Sequence, residues 1–355
     1  MTDPGVSRPR YQGLAAARRW AHEPVRPRAD FSLNVGDRVG DLTIIGHLAR
    51  GRITELYQVW SNEHWCALTG KLVAPAHLDG DVPPPSFRRE ERVLKRLKHP
   101  NIVRLYGSGV VEGRPYLLLE YFAGPTLYDV LESLPKRRLY MPDAIRATMH
   151  VGAAIHYLHR QGFLYRDLKP GNVLLREGIP ILVDFDVVRK IDDRRPADRL
   201  GTAPYMAPEQ VRREKLTPAT DVYGLGVLLY ELLTGRWPTD NPDVDEEEWE
   251  EEWLDSDAGV VPPAPFDGRR PALRTRDLEH RYPQLLAPPV PPREHLAHLD
   301  PELERLILRC LAPDPADRFQ TVSGMLAALA PMLRGRYRLW PEGAPIERRS
   351  DTDSR

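Results

Sequence analysis

The chain is short of cysteine, of net charge and of long apolar runs, and each shortage removes a class of explanation. Only two cysteines occur in 355 residues. Cys66 and Cys310 sit in the apolar contexts WCAL and LRCL, with no CxxC spacing and no histidine pair nearby. A disulfide framework or zinc site is therefore not expected, and both are read as reduced core thiols. The formal net charge of −1 gives no global pull towards nucleic acid or membrane. No stretch approaches the roughly 18 apolar residues of a membrane span, and the N-terminus lacks the apolar core of a secretory signal. The expectation is a cytoplasmic protein with no membrane partner and no specific nucleic-acid partner.

What is present is a globular composition, 41% hydrophobic and 28% charged. Residues 1–38 are rich in Arg and Pro, and prolines bracket the one helical stretch, Gln12–His22. They read as a flexible basic arm; the prolines count against an Arg-rich transit peptide. From Leu42 the runs LTIIGHLAR, ELYQVW and WCALTGKLV read as strands. PSFRREERVLKRLKH reads as a helix with Phe87, Val93, Leu94 and Leu97 on one side, and IVRLYGSGVV and RPYLLLEYF as two further strands. After Gly124 helical periodicity takes over. The expectation is an α+β protein in two lobes, a small antiparallel-sheet lobe with one helix over residues 39–122 and a larger helical lobe over 123–333. Residues 239–298 form a Pro-rich insertion containing the acidic run DEEEWEEEW, and 334–355 a polar tail.

The chemistry concentrates in LYRDLKPGNVLL, residues 164–175. Asp167 can accept a proton from an attacking hydroxyl, Lys169 can neutralise charge on a transferring phosphoryl group, and Asn172 can hold a divalent metal. Asp184, following the apolar IPILV, can supply a second, charged metal ligand. Phosphoryl transfer needs this set because its catalysis is mostly positioning and charge neutralisation. Taken singly, each residue has an ordinary structural reading. YRDLKPGN, then VDF, then GTAPYMAPE, in that order, does not.

In these motifs the chain resembles the eukaryotic-type protein kinase family, including its bacterial Ser/Thr members, over about residues 40–333. The resemblance implies transfer of the ATP γ-phosphoryl group to protein serine or threonine, with Mg²⁺ held by Asn172 and Asp184, and Mn²⁺ as an alternative. Lys169 within DLKPGN is the serine/threonine form. Family spacing makes Lys71 the phosphate-binding lysine and Glu90 its helix partner, with Glu91 the neighbouring register. Ala49, Gly51 and Thr54 fall at the three glycine positions of the phosphate-covering loop, and Leu56 follows as its apolar cap. Thr69 replaces an alanine beneath adenine, Leu119 is the gatekeeper, and the backbone of Glu120 and Phe122 faces the base. Leu174 completes the nucleotide-binding set. Leu94, Leu105, Tyr165 and Phe185 form an apolar column. Asp221 anchors the loop of Asp167, Thr202 contacts Asp167, and Glu209 pairs with Arg318.

Departures from the family pattern qualify this picture. Two loop glycines are missing, which predicts weaker ATP binding or a loop set back from the phosphates. Asp186 stands where the family has a pivot glycine; it is expected either to face the surface and bond its own loop or to add a third carboxylate to the metal site. Residues 187–200 contain no Ser, Thr or Tyr. Arg166 is therefore expected to meet a loop carboxylate, Asp192, Asp193 or Asp198, in place of a phosphate. Trp249 and Trp253 share one face if the acidic run is helical; residues 245–253 are either a solvated insertion or a dock for a basic partner. The degraded glycine loop keeps two rival readings open, a kinase-fold scaffold without activity and a small-molecule phosphotransferase.

Overall fold

The computed structural model describes residues 31–51, 53–78, 83–195, 199–239 and 282–333. Strands β1 (Arg38–Val39), β2 (Leu42–Arg50), β3 (Thr54–Ser61), β4 (Cys66–Val73), β5 (Leu105–Val111) and β6 (Arg114–Glu120) form one antiparallel sheet in the order β1-β2-β3-β4-β6-β5. The period-two side-chain pattern explains β3: Tyr57, Val59 and Ser61 are buried on one face, while Leu56, Gln58 and Trp60 are half-buried on the other. The first face packs with Leu42, Ile44, Leu68, Leu72 and Leu118, and Phe31 and Leu33 close over it. Helix α1 (Pro85–Leu94) has proline in its first turn, and its Phe87, Val93 and Leu94 join the main core of the molecule.

Residues 31–33 are clasped to this lobe by a polar cluster. Glu55 is fully buried and accepts from Ser32 Oγ (2.5 Å), Tyr57 Oη (2.6 Å) and Arg114 Nη2 (3.0 Å). Arg114 also donates to Ser32 Oγ at 2.8 Å and to the Val73 carbonyl at 3.0 Å. Burial opposes the charge of Glu55, but these hydrogen bonds and the guanidinium outweigh it and hold the carboxyl below the usual range. A depressed folded value means that the stabilisation is present above the ordinary carboxylate pKa near 4.5 and fades as pH falls through the folded value. Ser32→Ala is expected to cost about 1.5 kcal/mol at pH 7. It should also shrink the difference between urea midpoints at pH 7 and pH 4; an unchanged midpoint at pH 7 would refute the clasp.

The large lobe is built on α3 (Met141–Arg160) and α5 (Pro218–Thr234), with α2 (Leu127–Ser133), α4 (Pro208–Arg212), α6 (Pro292–His295), α7 (Pro301–Cys310) and α8 (Val322–Leu329) around them. Nearly all of α5 is buried, which is why its sequence is apolar on every side. Gly226 lets α7 approach: a Cβ there would lie 2.6 Å from Cys310 Cβ. Burial in this contact pushes the Cys310 thiol up to about 12, leaving it inert. Two small ladders complete the lobe, β7 (Phe163–Leu164) with β10 (Arg189–Lys190) and β8 (Val173–Arg176) with β9 (Ile179–Leu182). They carry the chemistry-bearing loops at their ends. No helix among the described residues is long and apolar enough to cross a membrane.

Candidate active site

The loop leaving β7 is held from α5. Asp221, in the first turn of that helix, accepts from the backbone N–H of Tyr165 and of Arg166, each at 2.8 Å, and lies 2.6 Å from His159 Nε2. Arg166 takes φ 79°, which turns the next residue inward. Asp167 is buried, and both its oxygens are engaged. Oδ1 accepts from Thr202 N (2.8 Å) and Thr202 Oγ1 (2.7 Å), and Oδ2 accepts from Asn172 Nδ2 (2.8 Å). Lys169 Nζ stands 3.6 Å from the same Oδ2. The turn Pro170–Asn172 makes this convergence possible by bringing Asn172 back over Asp167.

A second cluster forms across the sheet and α1. Lys71 Nζ donates to Glu90 Oε2 (2.7 Å) and to Asp184 Oδ1 (2.9 Å). Glu91 instead pairs with Lys95 and Ser108, which decides the register in favour of Glu90. Burial works against the ammonium, but Asp184, Glu90 and Asp186 together raise the Lys71 pKa above its usual value. Asp184 is in the left-handed region, φ 60°, where Asp is among the better-tolerated residues. Phe185 is buried with its ring 5.4 Å from that of Tyr165, edge to face, in the same core as Leu94; Leu105 packs against it half-buried.

Asp186 is half-buried beside Asp184. Its carboxyl is raised well above the ordinary range by burial and by the adjacent charge of Asp184, with Glu90 and Asp167 adding to the repulsion. Its backbone is not among the positive-φ positions, so the conformation here needs no glycine. Arg89 of α1 donates to the Asp186 carbonyl at 3.0 Å, a tether that no local motif announces.

The nucleotide-binding candidates come together through strand register. Leu56 is opposite Ala49 on one side and Lys71 on the other, and Thr69 is opposite Leu119. Thr69 Oγ1 reaches the Glu120 carbonyl at 3.4 Å, while the Glu120 side chain pairs with Arg176 at 2.8 Å. Gly51 N donates to Thr54 O at 2.8 Å, closing the loop on itself. The exit from β6 lies hard against β8, because a Cβ on Gly124 would sit 1.9 Å from the Leu175 carbonyl oxygen. Thr126 bridges Leu174, so half-buried Phe122 and Leu174 flank the same exit.

Beyond Phe185 the segment is held by charged side chains and backbone carbonyls. Asp193 pairs with Arg195 (2.6 Å) and lies 3.5 Å from Arg189, while Arg166 Nη1 donates to the Val187 carbonyl at 3.2 Å. Hydrogen bonds from Arg195 hold the Asp193 carboxyl well below its ordinary range. Asp192 is exposed and Asp198 is outside the described residues. Arg189, at the start of β10, meets Asp193 four residues on. Glu209 and Arg318 form a buried two-pronged pair at 2.8 and 2.9 Å. The acidic run 245–253 and the tail 334–355 lie outside the described residues.

A family model described as the protein kinase domain matches residues 42–328. The chain belongs to the protein kinase family. It is 32% identical over 257 residues to the serine/threonine-protein kinase PknB of Mycolicibacterium smegmatis, covering 68% of this chain and 35% of that kinase. It is 30% identical over 328 residues to the probable serine/threonine-protein kinase SCO3848 of Streptomyces coelicolor, covering 84% and 43%. The chain thus spans less than half the length of these kinases. The crystal structure of the Mycobacterium tuberculosis PknI kinase domain shares the kinase fold, with TM-score 0.59 at 22% identity over 84% of this chain and 99% of that one.

Proposed function

We propose that this kinase-family chain transfers the γ-phosphoryl group of ATP to serine or threonine hydroxyls of proteins, and does so without phosphorylation of its own activation segment. The observation that carries the reading is the pairing of two assembled clusters, Asp167–Thr202–Asn172 and Lys71–Glu90–Asp184. Asp167, oriented from both oxygens, positions the acceptor hydroxyl and takes its proton. Lys169 and Lys71 offset charge on the phosphates.

Asp184 and Asn172 are the proposed metal ligands. Asn172 commits its amide nitrogen to the Asp167 carbonyl and carboxylate, leaving its oxygen for a cation. Among the described residues no three His, Cys, Asp or Glu side chains form a ready-made cage. That suits Mg²⁺, which keeps several waters and binds through one or two carboxylates plus substrate phosphates. Bound there, the ion supplies charge neutralisation for the phosphate oxygens. Asp186 adds a further carboxyl group beside Asp184, which keeps Mn²⁺ as an alternative.

Phosphate independence is supported by the absence of Ser, Thr and Tyr from residues 187–200 and by Asp193, which already provides an anion to Arg189. The test is labelled ATP with Mg²⁺ or Mn²⁺ and generic protein substrates, comparing wild type with Asp167→Asn. Transfer should depend on Asp167, and mass spectrometry of the active enzyme should find no phosphate on residues 187–205. Transfer that persists in Asp167→Asn, or activity that needs a phosphate on Thr202 or Tyr205, would reject the corresponding half of the proposal.

A further inference from the structure

The hydroxyl of Thr202 is bonded to Asp167, so the turn Ala203–Tyr205 begins directly beside the place where an acceptor hydroxyl must sit. A substrate chain entering that place has to run along this turn. The turn is fixed from two sides. Tyr205 Oη donates to Glu231 at 2.6 Å and accepts from Trp237 Nε1 at 3.2 Å. On the opposite side stands the far end of the Pro-rich insertion, where Pro283–Leu285 forms a single helical turn. Tyr282 there is buried against Ala203, Met206 and Val211. Gln284, 5% exposed, donates its one amide nitrogen to the Ala203 carbonyl at 2.8 Å and to the Met206 carbonyl at 3.1 Å. A single nitrogen therefore grips both ends of the turn. The Gln284 amide oxygen is buried with no hydrogen-bond partner among the described residues. A buried amide that leaves its acceptor unused is costly to keep, and its two bonds to the turn are what set against that cost. The insertion also closes on itself at its base, where Val290 N donates to the Pro238 carbonyl at 2.8 Å.

We infer that Gln284 is a positioning residue for the protein substrate: acting through the Ala203 and Met206 carbonyls, it sets the turn along which the substrate chain beside the acceptor hydroxyl must lie. Residues 282–285 are thereby part of the substrate-docking floor, and they act on the protein substrate without touching the nucleotide site. The inference rests on the protein-kinase reading of the same site.

The experiment uses the full chain with labelled ATP, Mg²⁺ and a generic basic protein as acceptor, and measures KM for the protein, KM for ATP, kcat, and ATP hydrolysis without acceptor. Gln284→Ala removes the donor. Gln284→Glu keeps the size and packing and sets an oxygen against the two carbonyls, so it serves even where the alanine variant folds poorly. Both variants are expected to raise KM for the protein about tenfold or more, since small misplacements of a positioned group are expensive, with KM for ATP and acceptor-free hydrolysis unchanged. Unchanged protein KM in Gln284→Glu overturns the inference. So does a parallel loss of ATP affinity, hydrolysis and thermal stability, which marks a purely structural residue. A wild-type chain that transfers phosphate to no protein fails differently: it removes the kinase reading itself, and the inference with it.

Discussion

Lys71→Met is expected to reduce phosphoryl transfer by at least about 10²-fold, the scale for removing one preorganised charge-stabilising donor. The same change should destabilise the fold by roughly 3–5 kcal/mol at pH 7, the cost of stripping the partner from a buried carboxylate. Methionine fills the volume of the lysine stem, so the effect isolates the ammonium. That ammonium bonds Glu90, which is 1% exposed, and Asp184, and it lies in the field of Asp186. Without it three neighbouring carboxyls face one another. Their folded pKa values then lie above the unfolded ones, so the folded chain binds the extra protons and stability recovers as pH falls. The pH trend separates loss of charge from loss of packing, because a packing defect would be pH-independent. Transfer within about threefold of wild type would overturn the assignment of Lys71. Urea unfolding at pH 7 and pH 5.5 reads the second effect.

Arg318→Met is expected to cost roughly 3–5 kcal/mol with only an indirect effect on transfer. Arg318 is 1% exposed, binds both oxygens of Glu209, and donates further to the carbonyls of Ala219 (3.1 Å), Ala312 (2.7 Å) and Pro313 (3.0 Å). The Tyr223 ring stacks 4.9 Å from the guanidinium. Methionine leaves Glu209 buried with Thr220 Oγ1 as its remaining described partner and takes a donor away from three carbonyls. Arg318→Lys should rescue little, since an ammonium cannot reproduce the planar two-pronged geometry. Adding Glu209→Gln to Arg318→Met should recover part of the loss by removing the unpaired charge. A loss under about 1 kcal/mol in urea would show that the pair behaves like a surface bridge. Any fall in activity is expected to pass through Gln210, whose amide donates to the Arg166 carbonyl at 3.1 Å and so ties α4 to the loop of Asp167.

Much of this molecule is legible without coordinates. The strand runs from Leu42 to Glu120 and the long helices appear where the apolar periods place them, because period two and period 3.6 are imposed locally by backbone geometry. The Asp167 loop, Lys71 and Glu90 are readable for a different reason: phosphoryl transfer needs fixed residue types at fixed spacing, and short motifs preserve both. The contacts of Asp221, of Thr202 with Asp167 and of Glu209 with Arg318 follow from the same resemblance.

What sequence could not supply are pairings between residues whose spacing carries no period. Glu55 reads as one polar residue of a half-buried strand; only the sheet brings Arg114 to it, 59 positions away, and turns it into a buried ion. Gln284 lies 81 positions from the carbonyl it grips, within the Pro-rich insertion. Asp193 meets Arg189 and Arg195 in the turn after β10, where its N–H donates to the Lys190 carbonyl at 3.2 Å. The charges gathered around Asp186 likewise come from separate elements, Glu90 of α1, Lys71 of β4 and Asp167 of its loop, together with Asp184. Local sequence therefore determined which elements form and which residues are candidates for the chemistry. Tertiary packing decided which charges become buried partners, since burial and long-range approach are properties of the folded whole.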